Sequence, residues 1–320
     1  MNLEDILKGK NVLITGGTGS IGSEIAREVL KYDIRQLRIY SRDETKQFEL
    51  MHELGYNNNK IRYLIGDIRD KERMDIAFNG VQIVFHVAAL KHVSSCEYNP
   101  FEVVKTNIIG SQNVIDLALK NHVEKVIAIS TDKATDPTSV MGVSKLMMEK
   151  LIIATRYYKA VDTQFSAVRF GNVLMSRGSV IPLWIQQINK NNTITVTHKD
   201  MTRFFMEIPQ AVKLVFNTLS LMQGEEVFIL KMPKVKIIDL ANKVVKQYGN
   251  NKTKIIFTEP RQGEKLYEKL LTEEESDRAL ETKDFFILLP QTDVCYANIK
   301  EKKYPFAKPL LNKKEYRSDK

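Results

Sequence analysis

Cysteine is scarce in this sequence: Cys96 and Cys295 are the two among 320 residues, far apart and without metal-ligand spacing. That excludes a disulfide-stapled scaffold and a cysteine zinc site, and fits thiols kept reduced in a cytosol. Long apolar runs are missing too, since none approaches the roughly 18 residues a membrane span needs. The opening Met1-Asn2-Leu3-Glu4-Asp5 lacks the basic-then-apolar layout of a secretory signal, so a cytoplasmic protein with no membrane span is expected. Histidine is sparse as well. His86 and His92 have no third ligand at useful spacing, so no metal is expected. Trp184, the single tryptophan, reads with Met147 and Met148 as core or interface.

Charge of one sign is in excess, with 48 Lys and Arg against 39 Asp and Glu, a net +9. The basic residues are scattered apart from runs at 231–236 and 313–320, with no aromatic-laced stripe, so no nucleic-acid partner is expected. The excess suits a site for anionic diphosphate ligands. Apolar strands at 10–15, 37–40, 61–65, 81–86, 126–130 and 164–169 alternate with amphipathic helical stretches. This order predicts an α/β fold, a Rossmann-type doubly wound parallel sheet, with ligands outside the carboxyl ends of the strands. After residue 175 the pattern loosens into short strands (194–197, 227–230, 254–257) and helices (209–222, 237–248). The expected division is a dinucleotide-binding domain at 1–175, a smaller discontinuous substrate lobe at 176–290, and a loosely held tail at 291–320 with Pro305 and Pro309.

The segment Thr15-Gly16-Gly17-Thr18-Gly19-Ser20-Ile21-Gly22 follows the first strand and opens a helix. Gly16 permits the tight turn, Gly19 a close approach of backbone to a pyrophosphate, and Gly22 close helix–sheet packing. Thr18, Ser20 and Ile21 complete the expected cofactor loop, whose free N–H groups suit an anion. The second strand ends in Ser41-Arg42-Asp43-Glu44, with Lys46 beyond. A hydroxyl and a planar cation here suit a 2′-phosphate, so NADP is expected, while Asp43 keeps NAD open. Asp67 and Ile68, after the third strand, are expected at the adenine, and Ala88 and Ala89, after the fourth, beneath the dinucleotide.

The fifth strand runs into Ser130-Thr131-Asp132-Lys133-Ala134, and Met141 to Lys145 opens a helix with both ends on one face. The glycine spacing resembles the extended short-chain dehydrogenases/reductases. In that superfamily, positions 141 and 145 are normally Tyr and Lys, with Lys binding the nicotinamide ribose and lowering the Tyr pKa. Here Met141 cannot move a proton, which demotes a simple alcohol dehydrogenase or a 4-epimerase. The ordered set Ser41–Glu44, Lys91-His92-Val93, Thr106-Asn107, Ser130–Ala134, Arg169–Val173, Ser176–Val180, Met201–Phe204 and Arg261–Lys265 resembles the UDP-N-acetylglucosamine 4,6-dehydratases, in a branch with Met for Tyr. The resemblance spans residues 8–290.

It implies a UDP-N-acetylhexosamine substrate, NADP, and dimers or hexamers. The implied reaction oxidises C4, eliminates water across C5 and C6, and returns hydride to C6. Lys133 is the expected C5 base, which requires a depressed pKa from desolvation or from Lys145. Asp132 is the expected acid for the leaving hydroxyl, and it or Thr131 the acceptor of the C4 hydroxyl proton. An Asp132–Lys133 salt bridge is not expected, because neighbours at a strand end seldom face each other. Ser130 and Lys145 are expected beside the cofactor, and Lys91 between cofactor and sugar. By resemblance, Asn172, Arg177, Val180, Arg261 and Glu264 hold diphosphate and uridine, and guanidinium forks suit phosphate. Arg203 is read as a ligand contact or a lobe-stabilising ion pair. A nucleotide-sugar 5,6-dehydratase or epimerase, or a non-catalytic NADP sensor, are the competing readings.

Overall fold

The computed structural model describes residues 2–158, 162–291, 304–311 and 314–320. Cys295 lies outside them, while Cys96 is buried and unpaired. Six strands arise where the apolar pattern predicts them: β1 (Asn11–Thr15), β2 (Gln36–Ser41), β3 (Ile61–Ile65), β4 (Ile83–His86), β5 (Lys125–Ile129) and β6 (Gln164–Arg169). Every residue of β1 is buried, as expected of a central strand covered by helices on both faces, whereas edge strand β3 shows two exposed positions. The next strands are β7 (Asn172–Val173), β8 (Thr193–Val196), β9 (Thr202–Met206), β10 (Val227–Leu230), β11 (Lys234–Lys236) and β12 (Lys254–Phe257). The last are β13 (Lys269–Leu271), β14 (Ala279–Glu281), β15 (Phe285–Leu288), β16 (Lys308–Pro309) and β17 (Tyr316–Arg317).

One ten-stranded sheet runs β16-β14-β15-β10-β6-β5-β4-β1-β2-β3. From β10 to β3 neighbouring strands are parallel, and β15, β14 and β16 continue it antiparallel. The strand order reverses at β1, between β2 and β4, which opens a crevice at their carboxyl ends. Helices Ser20–Val29 and Ile208–Leu221 cover one face, and Lys71–Phe78, Gly110–Lys120 and Val140–Ala154 supply the core of the other. The smaller lobe keeps its own core, in which Trp184, Ile194, Phe205 and Ala241 are almost fully buried. Met148 is buried and Met147 exposed, so only the first belongs to a core.

Two expectations need correction. Strands β10, β14 and β15, from the segment assigned to the substrate lobe, extend the main sheet instead. The described parts of the tail are not loosely held. Tyr304 is buried and its hydroxyl donates to Glu226 Oε1 at 2.6 Å, β16 pairs with β14, and β17 pairs with β13. Lysine content misled there, because Tyr316 of β17 packs against the main core and Ser318, just past it, is buried.

Candidate functional site

At the β1 end of the crevice the loop geometry requires glycine. Gly16 has φ +69°, and a Cβ there would lie 2.7 Å from the Ala88 backbone. A Cβ on Gly22 would sit 2.4 Å from the Gly16 carbonyl oxygen. Gly19 precedes helix Ser20–Val29, whose free N–H groups face the turn. The cradle is therefore shaped by missing side chains, and it fits a pyrophosphate. Thr18 is buried and Ile21 packs against the main core. Arg177, expected with the substrate, lies over this loop: its Nη2 donates to the Thr18 carbonyl at 2.7 Å and its N–H to Ser20 Oγ at 3.1 Å. Lys91 Nζ donates to the Arg177 carbonyl at 2.8 Å, which ties the loop after β4 to the same place.

Past β2, Arg42 is exposed and its Nη1 lies 3.4 Å from Asp67 Oδ2. Burial alone would raise the Asp67 carboxyl, but Arg69 and Arg42 outweigh it and hold the pKa below the usual range. Arg42, Arg69 and Lys91 line one cavity with Leu90, His92 and Thr106. Asp43 is accounted for by local structure: it caps helix Glu44–Leu54, accepting from the Lys46 N–H at 3.0 Å and pairing with the Lys46 ammonium. It is therefore not a free carboxylate for a ribose, and Lys46 is not a free cation. The Ser41 hydroxyl is buried and accepts from Gln47 Nε2 at 3.0 Å. The Ile68 side chain is core, with its carbonyl accepting from Asn113 Nδ2 at 3.0 Å. Ala88 and Ala89 are half-buried at the end of β4.

His86 is core, as expected for a histidine without a ligand set. Its ring bridges Thr15 Oγ1 at 2.8 Å and Ser111 Oγ at 2.9 Å, and burial pushes its pKa down to about 3. Helix Val140–Ala154 carries Lys145, whose Nζ donates to the Ile129 carbonyl at 2.8 Å at the end of β5. Burial lowers its pKa to about 8, with Glu149 opposing. Met141 is buried beside Cys96 and Val103, so its thioether fills an apolar pocket. Ser130 donates to Glu149 Oε1 at 2.5 Å, and Arg169 joins Glu149 and Glu275 in a buried ion network that sequence reasoning missed.

The other end of the crevice is electrostatic. Asp132 is fully buried in the turn after β5; Oδ1 accepts from Thr131 Oγ1 and from Lys133 Nζ, each at 2.9 Å. The expectation that these neighbours face apart is wrong, because the turn Asp132–Ala134 folds Lys133 back over the carboxylate. Asp132 Oδ2 has no partner among the described residues. Lys133 Nζ also lies 3.4 Å from Glu268 Oε1. Burial opposes its charge, yet Asp132 and Glu268 outweigh it and raise the ammonium above the lysine norm. The expected depression of Lys133 is thus corrected; burial depresses Lys145, and also Lys91 and Lys265, instead.

Glu268 was not singled out from sequence, although it stands only three residues beyond the Arg261–Lys265 run. Thr106 was quoted only within a motif; its buried hydroxyl has no partner among the described residues. Thr106 and Asn107 sit in a π-helical turn, Val104–Ile109, and Asn107 Nδ2 donates to Ser144 Oγ at 2.9 Å. Arg203 is an ion-pair residue: its Nε is 3.7 Å from Glu268 Oε1 and its Nη2 3.5 Å from Glu264 Oε1. Glu264 Oε2 accepts from the Arg261 N–H at 3.1 Å, while Arg261 itself is exposed. The loop rests on the turn before helix Val140–Ala154, with Thr138 Oγ1 donating to the Gly263 carbonyl at 3.0 Å. Asn172 Nδ2 donates to the Phe204 carbonyl at 3.2 Å, and Val180 packs on the lobe core. Thr197, His198, Lys199, Phe257 and Pro260 bound a second hollow directly before Arg261.

Comparison with known proteins fits this geometry. Residues 12–290 match the family model described as polysaccharide biosynthesis protein. An uncharacterized membrane protein of Methanocaldococcus jannaschii is 51% identical over 90% of this chain and 88% of its own, although no described helix here is long and apolar enough to cross a membrane. A UDP-N-acetylglucosamine 4,6-dehydratase (inverting) of Campylobacter jejuni is 43% identical, covering 89% of this chain and 84% of its own. A UDP-glucose 4-epimerase of Rickettsia rickettsii is 42% identical, covering 90% and 85%. The crystal structure of Pen from Bacillus thuringiensis superposes with a TM-score of 0.91 at 44% identity, covering 98% and 94%. The chain belongs to the polysaccharide biosynthesis protein family, among the nucleotide-sugar dehydratases and epimerases of the extended short-chain dehydrogenase/reductase fold.

Proposed function

We propose that this chain is an NADP-dependent UDP-N-acetylglucosamine 4,6-dehydratase. The observation that carries the reading is the buried Thr131-Asp132-Lys133 group at the end of β5, in a chain with methionine at position 141 where a phenol would otherwise stand. A 4-epimerase moves one proton, at the C4 hydroxyl. A dehydratase must also take the C5 proton and protonate the departing C6 hydroxyl, and this cluster holds an amine and two carboxyls for that work. A bound nicotinamide dinucleotide would supply the hydride chemistry, taking hydride from C4 and returning it to C6. Gly16, Thr18, Gly19, Ser20 and Gly22 would hold its diphosphate, Arg42 its 2′-phosphate, Asp67 and Ile68 its adenine end, and Lys145 its nicotinamide ribose.

Asp132 takes the C4 hydroxyl proton, directly on its free Oδ2 or through Thr131 onto Oδ1, and later gives that proton to the C6 hydroxyl as water forms. Lys133, once neutral, removes the C5 proton that the 4-ketone acidifies. Each such transfer contributes about 10²–10⁴-fold. Lys91, Asn172 and Val180 would flank the sugar and diphosphate, with Arg177 reaching the diphosphate from the cofactor side. Arg261 and Glu264 would meet the nucleotide, with its base in the hollow of His198 and Phe257. Incubation of the purified protein with UDP-N-acetylglucosamine and catalytic NADP tests the reading by mass spectrometry. A product lighter by one water supports it; an isomer of unchanged mass refutes it in favour of an epimerase.

A further inference from the structure

A lysine that must accept a proton is useless while it already carries one. Lys133 Nζ stands between two carboxylates, 2.9 Å from Asp132 Oδ1 and 3.4 Å from Glu268 Oε1. In the mechanism above Asp132 is occupied by the C4 hydroxyl proton, which leaves Glu268 as the group able to relieve Lys133. Glu268 is 2% exposed, and Oε2 has no partner among the described residues, so one oxygen is free to bind a proton. Its backbone is fixed from the far end of the chain. The Glu268 N–H donates to Ser318 Oγ, and the Ser318 N–H donates to the Glu268 carbonyl, both at 3.0 Å. The Ser318 hydroxyl also bonds Thr202 Oγ1 at 2.9 Å, beside Arg203. Burial and the nearby Asp132 charge favour a protonated Glu268 carboxyl, while Lys133 and Arg203 oppose it.

We propose that Glu268 is the proton partner of Lys133, holding the ammonium proton through turnover so that a neutral amine faces the sugar. The inference rests on the dehydratase reading. The exchange converts Lys133 –NH₃⁺ and Glu268 –COO⁻ into –NH₂ and –COOH. One N–H bond breaks, one O–H bond forms, no electrons are transferred, and the total charge is unchanged. The amine then forms a new N–H bond with the C5 proton, while the C5–H electron pair becomes the C5–C6 double bond and the C6–O bond breaks onto the proton held by Asp132. Glu268 acts through Lys133 and is a positioning residue.

The test compares wild type, Glu268→Gln and Glu268→Asp with UDP-N-acetylglucosamine. For Glu268→Gln, kcat should fall about 100-fold or more with KM changed less than about threefold, as expected for loss of a proton transfer. Reduced nicotinamide should build up in a single turnover, because C4 oxidation continues while elimination stalls. Glu268→Asp keeps a titrating carboxyl and should recover all but about tenfold of the rate. A folded Gln variant with unchanged kcat, or an Asp variant as poor as Gln, overturns the proposal. A substrate-free readout separates this from failure of the dehydratase reading: NMR titration of ¹³C-dimethylated lysines, with Lys133 assigned from Lys133→Arg. The Lys133 midpoint should fall in Glu268→Gln, or in Glu268→Asp if Gln does not fold. An unmoved midpoint overturns the proposal even if wild type dehydrates the sugar, and wild type that forms no dehydrated product sinks the dehydratase reading whatever the titration shows.

Discussion

The two ends of the crevice are built on different plans. The glycine-loop end is backbone: one loop from Gly16 to Gly22, shaped by positions where no Cβ fits, meeting β2 at Ile39 and Tyr40, the chain past β4 at Ala88, and Arg177. The charged end is side chain: Asp132 and Lys133 from one turn, Arg203 from β9, Glu264 and Glu268 from the approach to β13, with Ser318 from the tail bracing Glu268. A backbone site depends on local conformation and tolerates little change. A side-chain site depends on distant segments, and its charges set one another.

Four substitutions sharpen or break that contrast. Lys133→Ala should lower dehydration about 10³-fold in steady-state kinetics while leaving cofactor affinity within a few-fold, since it removes one proton transfer and no cradle atom. An equal loss of cofactor binding would mean that the two ends are not separate. Gly22→Ala should act in the opposite sense. Its Cβ would lie 2.4 Å from backbone, so thermal unfolding should show about 1–3 kcal/mol of destabilisation together with weakened NADP binding. Arg42→Ala should raise the KM for NADP about tenfold and leave that for NAD nearly unchanged, the size of one lost charged hydrogen bond. Equal effects on both cofactors would exclude a 2′-phosphate role.

The last effect concerns pH. His86 stays neutral in the fold down to about 3 against an ordinary 6.5, so below 6.5 the unfolded chain gains a proton that the folded one refuses. Stability should therefore fall with pH across that window, by at most about 1.4 kcal/mol per unit. His86→Gln should remove this part of the slope in denaturant titrations at pH 4 to 7, whereas an unchanged slope would place the acid sensitivity elsewhere.

Legibility in the sequence followed the same division. The parallel strands, the glycine loop and the helix at Val140–Ala154 were readable because each is written in consecutive residues. The short strands from β13 to β17 were not, since two to four residues carry no usable period and their pairing partners lie far along the chain. Asp43 looked like a ribose ligand by position, and only its cap on Lys46 explains it. The charge of Lys133 was misjudged for a related reason. Desolvation was foreseeable from a strand end, but the turn folds the Asp132 carboxylate onto the amine, and the fold brings Glu268 beside it.

The central claim is that an amine and a carboxyl at the end of β5 carry out an elimination where a phenol is missing. NMR of the product formed from UDP-N-acetylglucosamine in deuterated water tests it most directly. The account predicts a 4-keto-6-deoxy sugar with solvent deuterium at C5 and a methyl group at C6 free of deuterium, because hydride moves from C4 to C6 within the bound complex. A product that keeps its C6 hydroxyl and its C5 hydrogen would contradict the account.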